Sequence, residues 1–531
     1  MSFYLTTILF FPILGAAMLA GIPGSNRPAI RQATLAIAVI HFLIALPLWW
    51  LYAPGGAEYQ FVERVPWIDA LGVEYHLGVD GVSILLTLLT VLLTPLAVLG
   101  SWRYIDHHVK EFHILLLVLT TGMLGVFFAL DLFVFYVFWE LMLVPMYFLI
   151  GVWGGEQRIY AAVKFFLYTF LGGVLMLVGI LALYFYHEGA TGVYTTSLAD
   201  LMAIPVPGGL QLALFLAFAV AFAIKVPMFP FHTWLPDAHV QAPAAGSVIL
   251  AAVLLKMGTY GFYRFAMPLF PEASRDALPW IAGLAVVGVI YGAMVALVQP
   301  NVKKLVAYSS VSHLGFVMLG LFALNATGVQ GSVIQMINHG ISTGALFFIC
   351  GMLYERRHTY EIAQFGGLSA VMPVFAVLFM IVTLSSIGLP GLNGFVGEFL
   401  ILVGMFQSHP WMTGIATAGV ILAAYYMLRM FQRVMFGDVE IEANRKLPDL
   451  SGREVAVLLP LVVLIVWIGV YPAPFLARTE PSVDRFVERV TRTAPAAEIA
   501  ELEAPVTEAP PAGETEPVVI ETQSAARVSQ P

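Results

Sequence analysis

The composition of this 531-residue chain excludes a soluble globular protein, because 60% of its residues are hydrophobic, 11% are charged and the mean hydropathy is +0.87. An average soluble domain has about twice that charged fraction. The net charge of −8 excludes a nucleic-acid binder, which needs a basic face. The single cysteine, Cys350, excludes a disulfide framework, a cysteine zinc site and an iron–sulfur cluster. An integral membrane protein remains.

Apolar runs long enough to cross about 30 Å of hydrocarbon as helices repeat along most of the chain. They predict an all-α integral membrane protein with about fourteen transmembrane helices. The predicted spans are 3–23, 33–53, 81–102, 112–130, 132–153, 159–186, 208–236, 244–270, 277–299, 304–325, 328–354, 371–407, 411–436 and 454–475. From residue 476 onward, a Pro-, Ala- and Glu-rich composition predicts a disordered tail, since such a segment cannot bury a core.

The distribution of basic residues between the loops predicts the orientation of the chain. Thirteen lysines and arginines, among them Lys303, fall in one set of alternate loops, and three, among them Arg264, fall in the opposite set. The richer set is therefore predicted to be cytoplasmic. With an even number of spans, both termini are then expected on the periplasmic side.

Ionisable residues recur inside the predicted spans at a nearly constant interval, which indicates an internal repeat. Three pairs lie 173 residues apart: Glu140 and His313, Lys225 and Glu398, and Lys256 and Arg429. Lys164 precedes His339 by 175 residues. Because five spans separate the members of each pair, the second copy must be inverted relative to the first. Transporter folds use such inverted repeats to place sites near the bilayer midplane.

This repeat predicts a division of the chain into five segments. They are an N-terminal three-span segment (1–110), a first five-helix repeat of spans four to eight (111–270), a second, inverted repeat of spans nine to thirteen (271–436), a loop with the last span (437–475) and the tail (476–531).

Two predicted spans contain sequences that interrupt a helix. Pro227, Pro230 and Pro236 follow Lys225 in the seventh span, and SSIGLPGLNGFVGEF surrounds Glu398 in the twelfth. Proline removes a backbone donor, and lipid tolerates this only where protein or water satisfies the freed carbonyls. Spans seven and twelve are therefore predicted to be discontinuous helices that line a hydrated interior.

The buried ionisable residues suggest a proton relay, since a charge in the membrane is costly and by default indicates function. Burial disfavours the charged form of a lysine, whereas a nearby carboxylate favours it. A Glu140–Lys225 pair would therefore act as a switch that releases a proton when the pair separates. The predicted relay consists of Glu140, Lys225, Lys256 and Glu398, supported by Lys164, His313 and His339.

Structural roles are an alternative for five of these residues. Glu140 and Lys225 can form a static buried ion pair, Lys164 can anchor a loop, and His313 or His339 can join helices by hydrogen bonds. His41 is interpreted as structural. Arg429 does not usefully deprotonate, so a structural or electrostatic role is expected for it. Asp80 and Asp131, at span mouths, are expected to cap helices or anchor the interface.

Five stretches resemble the antiporter-like subunits of respiratory complex I, the NADH-quinone oxidoreductase. They are FVFYVFWELMLVPMYFLIGVWGG (133–155), AAVKFFLYTFLGG (161–173), KVPMFPFHTWLPDAHVQAPAAGSVILAAVLLKMGTYGFYRF (225–265), KKLVAYSSVSHLGFVMLG (303–320) and GLPGLNGFVGEFLIL (388–402). The resemblance covers roughly residues 1–475, and the tail departs from it. Within this family, the acid at position 398 indicates a subtype that carries a carboxylate where others carry lysine.

The resemblance implies a proton-pumping module of an NADH:quinone oxidoreductase, with no redox site in this chain. It implies that Glu140 is the ion-pair partner, Lys225 the central lysine, Lys256 the connecting lysine and Glu398 the terminal site. His313 and His339 would then belong to the central hydrophilic axis.

The same resemblance implies partners and a location. Flavin and iron–sulfur clusters are expected in partner subunits, and two antiporter-like subunits are expected to flank the chain in the bacterial inner membrane. Two alternatives remain open: a subunit of a monovalent cation/proton antiporter and a subunit of a membrane-bound hydrogenase. A purely structural spacer would leave the buried ionisable residues unexplained.

Overall fold

The computed structural model describes residues 3–492. Its N-terminal region consists of helices and one hairpin. Its elements are α1 (Tyr4–Ala20), α2 (Arg27–Ala45), α3 (Leu48–Leu51), β1 (Gln60–Ile68), β2 (Val73–Val79) and α4 (Gly81–Gly100). Asn26 and Asp80 begin α2 and α4 by accepting hydrogen bonds from backbone N–H groups of the first turn. Asp80 is thus a helix cap, one of the two roles expected for it.

One β-hairpin accompanies the helices. β1 and β2 pair antiparallel in the connection between the second and third predicted spans. Its Glu63 accepts hydrogen bonds from the backbone N–H groups of Leu5 and Thr6 at 2.7 and 3.0 Å, which fixes the hairpin to the start of α1. The apolar runs did not predict the hairpin because neither strand is long or uniformly apolar.

The next helices extend from residue 109 to residue 269. They are α5 (Val109–Phe128), α6 (Leu132–Leu141), α7 (Leu143–Trp153), α8 (Arg158–Thr191), α9 (Leu198–Ala203), α10 (Gly208–Lys225), α11 (Trp234–Gln241), α12 (Ala244–Ile249), α13 (Leu255–Gly261) and α14 (Met267–Leu269). Two π-helical turns, Leu250–Leu254 and Phe262–Ala266, join α12, α13 and α14 into one continuous rod. Asp131 caps α6, again as expected.

A further set of helices occupies residues 271–435. They are α15 (Pro271–Leu297), α16 (Val302–Leu321), α17 (Ala326–Arg357), α18 (Leu368–Val371), α19 (Pro373–Ser386), α20 (Asn393–Ser408) and α21 (Pro410–Met435). Asn301 and Asn325 cap α16 and α17 through their side chains. The rod of α12–α14 and helix α17 lie almost wholly inside the protein, whereas α8, α15 and α21 present apolar side chains on the outside.

The C-terminal elements correct the prediction of a disordered tail from residue 476. After α22 (Gly452–Val470), helix α23 (Ala473–Thr491) buries Phe475, Val483, Phe486 and Val490. Its apolar residues recur at helical spacing between charged ones, so the segment has a face that can be buried although its overall composition is polar. The rest of the predicted tail lies outside the described residues.

Each of the fourteen predicted spans coincides with a helix or a series of helices. Among residues 3–492, twelve helices or helix series are long and apolar enough to cross a membrane, and the shorter apolar helices α1 and α19 occupy two further predicted spans. The prediction of a largely helical membrane protein is confirmed. The inverted repeat and the five-segment division stay predictions.

Candidate functional site

Glu140 is the second-last residue of α6, just before the one-residue break at Met142 that separates α6 from α7 in the fifth predicted span. Pro145 explains the break, because its ring lacks the N–H that the carbonyl of Leu141 would accept and crowds the preceding turn. Oε1 of Glu140 is buried and has no protein hydrogen-bond partner among the described residues. Glu140 is therefore half-buried, with one carboxylate oxygen enclosed by protein near the break.

Lys225 is the last residue of α10, and its side chain is completely buried. Pro227 and Pro230 prevent the helix from continuing, and the chain becomes helical again at Trp234, as predicted for a discontinuous span. Nζ of Lys225 lies 5.1 Å from the centroid of the Trp139 ring, within the range of a cation–π contact. The aromatic face partly replaces the hydration that the ammonium group loses.

The expected Glu140–Lys225 ion pair is not formed. Within residues 3–492, neither side chain takes part in an ion pair with a nitrogen–oxygen distance of 4.0 Å or less, and Nζ of Lys225 has no hydrogen-bond partner. Trp139 precedes Glu140 and places its ring under the ammonium group instead. The two groups are neighbours on α6 and α10 without direct contact, which contradicts a static buried pair.

Lys256 is buried in the middle of the rod formed by α12–α14, directly after a π-helical turn. In that turn the N–H of Leu255 donates to Leu250 instead of Ala251. The carbonyl of Ala251 accepts from Nζ of Lys256, and the same Nζ lies 2.5 Å from Nδ1 of His339 on α17. π-helical turns of this kind occur often at functional sites.

His313 and Glu398 form the next contact of the series. Nδ1 of His313 on α16 lies 2.9 Å from Oε1 of Glu398 on α20, and Nε2 of Gln335 donates to the same oxygen at 3.2 Å. The ring centroids of His313 and His339 are 5.6 Å apart. The structure thus brings Lys256, His339, His313 and Glu398 into one buried series, in which two hydrogen-bonded contacts are joined by two adjacent imidazole rings. Glu398 lies just after the break between α19 and α20.

Lys164 belongs to a different contact. Its Nζ lies 2.7 Å from Oδ2 of Asp237 on α11, and both side chains are partly exposed. Sequence reasoning missed Asp237 because the seventh span was predicted to end at residue 236. The signal was present, since an acid followed the helix-breaking Pro236 and one helix turn more would have included it.

Two basic residues that were counted in loops are buried, and one basic residue of a predicted span is exposed. Arg264, counted in a loop, is buried in an ion pair with Asp80, with Nη2 2.6 Å from Oδ2. Lys303, also counted in a loop, is buried and donates to a backbone carbonyl at 2.6 Å. Arg429, in contrast to the buried Lys256, is exposed on α21 and donates to the hydroxyl of Tyr425.

The comparisons with known proteins agree with this architecture. The family model described as "NADH:quinone oxidoreductase/Mrp antiporter, TM" matches residues 129–423, which is more than half of the chain. NADH-quinone oxidoreductase subunit M of Rhodobacter capsulatus is 47% identical over 496 residues, which cover 91% of this chain and 96% of that protein.

Solved structures extend the comparison. A chain of respiratory complex I from Thermus thermophilus with bound NADH superposes with a TM-score of 0.84 at 34% identity, covering 92% of this chain and all of that one. A chain of the Mrp complex from a Dietzia species has a TM-score of 0.76 over 94% of this chain and 54% of its own length. At 24% identity, that second likeness shows the fold alone.

The chain belongs to the NADH:quinone oxidoreductase/Mrp antiporter family of membrane proteins. Within that family it is similar to subunit M, which confirms the subtype predicted from the acid at position 398.

Proposed function

We propose that this chain is an antiporter-like subunit of the membrane arm of an NADH-quinone oxidoreductase and that it moves protons across the membrane. Quinone reduction in other subunits supplies the free energy. One observation carries the assignment of the route: the buried series from Lys256 through His339 and His313 to Glu398, inside a membrane-spanning protein of this family.

The contacts of this series suit proton transfer by rearrangement of hydrogen bonds. A proton leaves Nζ of Lys256 for Nδ1 of His339, and His339 releases a proton from its Nε2. The Nε2 atoms of His339 and His313 have no protein partner among residues 3–492, so they are the ends between which the next transfer runs. His313 then gives the proton on Nδ1 to Oε1 of Glu398. Histidine suits both central positions because each ring nitrogen can accept and release a proton near neutral pH.

Glu140 and Lys225 form the first part of the route, where the release of the proton is controlled. A carboxylate near a lysine holds the proton on the lysine, and withdrawal of the carboxylate favours its release. In the observed geometry the two groups are neighbours without contact, so a modest rearrangement at the α6–α7 break can make or remove the pair. Lys225 is proposed to pass its proton toward Lys256, and Lys164 to assist through Asp237.

Partner subunits of the proposed complex supply the redox sites. Flavin, iron–sulfur clusters and the quinone site are assigned to partner subunits, and two antiporter-like subunits are proposed to flank this one. The exposed apolar faces of α8, α15 and α21 are available for these neighbours and for lipid. We propose that the complex lies in the bacterial inner membrane with both termini of this chain on the periplasmic side.

The deciding experiment replaces Glu140 by Gln in the assembled complex and measures NADH-driven proton uptake by inverted membrane vesicles. We expect uptake to fall roughly a hundredfold or more, the usual scale for losing a group that controls proton transfer. Oxidation of NADH with an artificial electron acceptor should be unchanged, because the redox sites lie in other subunits. Glu156→Gln, at an exposed loop acid, is the control.

Two outcomes contradict the proposal. Normal uptake per NADH in Glu140→Gln removes the carboxylate from the route. Proton movement that needs sodium or potassium and persists without NADH or quinone assigns the chain to a cation/proton antiporter instead.

A further inference from the structure

Gly173, in the middle of α8, lies directly against the carboxylate of Glu140. A Cβ atom built on Gly173 would overlap Oε1 of Glu140 and lie 3.1 Å from its Cδ. Gly173 is buried and helical, so its conformation does not require glycine. The space left by the missing side chain is the space that Oε1 occupies.

The preceding glycine of the same helix faces α10. A Cβ atom on Gly172 would lie 3.1 Å from Cα of Ala221 and 3.2 Å from Cδ1 of Ile224, the residue before Lys225. Helix α8 therefore touches the carboxylate of Glu140 through Gly173 and the helix that carries Lys225 through Gly172. Gly172 and Gly173 therefore set how closely the Glu140 carboxylate and the helix that carries Lys225 approach α8.

We propose that Gly173 is a positioning residue: the space left by its missing side chain holds the Glu140 carboxylate, here called the seat, and thereby fixes its position relative to Lys225. The inference rests on the proposed role of Glu140. A methyl group at residue 173 displaces the carboxylate from its seat and changes the step that depends on its position.

A substitution at Gly173 should act on position more than on stability. The overlapping atom is the end of a flexible side chain, which can rotate away, whereas the neighbours of Gly172 include backbone. Alanine also has a higher helix propensity than glycine. Gly173→Ala is therefore expected to assemble normally while the Glu140 carboxylate moves.

The test measures NADH-driven proton uptake by vesicles that contain the assembled complex with Gly173→Ala. We expect at least a fivefold loss of uptake, with unchanged NADH oxidation by an artificial acceptor. Gly189→Ala is the matched control, because it lies on α8 with no atom near the added methyl group, and it should behave as wild type.

Rescue separates positioning from general damage. Glu140→Asp shortens the side chain by one methylene and removes its overlap with a methyl group at residue 173. Uptake in the double variant Gly173→Ala/Glu140→Asp should be at least threefold higher than in Gly173→Ala alone. A strictly additive combination of the two losses, or normal uptake in Gly173→Ala, overturns the inference.

The role of Glu140 is judged separately. If Glu140→Gln pumps normally, the proposed function of the carboxylate fails, whatever Gly173→Ala does. If Glu140→Gln is inactive and Gly173→Ala is normal, only the seat is wrong.

Discussion

The two halves of the buried route differ in how their ionisable groups are connected. In the part of the chain that the structure describes, Glu140 and Lys225 form no ion pair, and neither Oε1 of Glu140 nor Nζ of Lys225 has a hydrogen-bond partner. Lys256 and His339 are in contact, as are His313 and Glu398. A chain of contacts supports transfer without large motion, whereas two separated groups need motion, which makes the first half the better place for control.

Electrostatics gives a reason for this division. Opposite charges attract strongly at low dielectric, so closing or opening a short gap between Glu140 and Lys225 changes the protonation free energy of both groups. His339 and Lys256 already share a contact, and movement there would mainly interrupt conduction. The predictions below test whether control and conduction are divided in this way.

The largest effect is expected at Lys225. Lys225→Ala removes the proton carrier, and Lys225→Arg keeps a positive charge that does not deprotonate, so both should lower NADH-driven proton uptake roughly a hundredfold. Lys446→Arg, at an exposed loop position, is the control. Normal uptake in Lys225→Arg would show that only the charge is needed. It would contradict the assignment of control to Glu140 and Lys225.

A smaller loss is expected in the second half from His339→Gln. Glutamine keeps a polar side chain beside Lys256 but cannot take up and release a proton, so uptake should fall roughly tenfold or more. His41→Gln is the control, since its Nε2 lies 2.8 Å from the backbone oxygen of Ile8 away from the route. Equal losses in both variants would mean that His339 serves packing.

A modest effect is expected for the Lys164–Asp237 contact, which lies beside the route. Lys164→Ala and Asp237→Asn should each lower uptake by a similar factor, about two- to fivefold, because each breaks the same ion pair. The double variant should be no worse than either single one. A much larger loss in Lys164→Ala than in Asp237→Asn would make Lys164 itself a proton carrier.

The smallest effect concerns the attachment of α23. Burial raises the pKa of Glu58, but hydrogen bonds from Arg489 at 3.0 and 3.1 Å outweigh it and lower the pKa below the usual value. The stabilisation is therefore complete above the ordinary glutamate pKa and is lost as the pH falls through the lowered value. Because both side chains are about one-third exposed, Glu58→Gln should cost about 1 kcal/mol or less.

Hydrogen–deuterium exchange of residues 473–491 measures this attachment in the assembled complex. Glu58→Gln should raise exchange at neutral pH, whereas Glu156→Gln should not. Unchanged exchange in Glu58→Gln would show that apolar packing alone holds α23.

Much of the fold and part of the site were predictable from the sequence. The positions of the predicted spans agree with the helices because the length of an apolar segment is a local property of the sequence, and the thickness of the bilayer sets the length required. The breaks beside Lys225 and Glu398 were predictable because proline and glycine act on their own turn. The hairpin and α23 escaped because their stability depends on contacts with α1, α4 and α17 more than on their own composition.

The sequence by itself determined a helical membrane protein with interrupted spans and rare buried charges, because hydropathy, helix breaking and the cost of a buried charge depend on residues close together in the chain. Only the tertiary structure decided which groups touch. Lys256 meets His339 across 83 residues, His313 meets Glu398 across 85, and Lys164 meets Asp237 across 73. Helix rotation and packing decide such contacts, and they leave Glu140 and Lys225 apart although the predicted switch joined them in an ion pair.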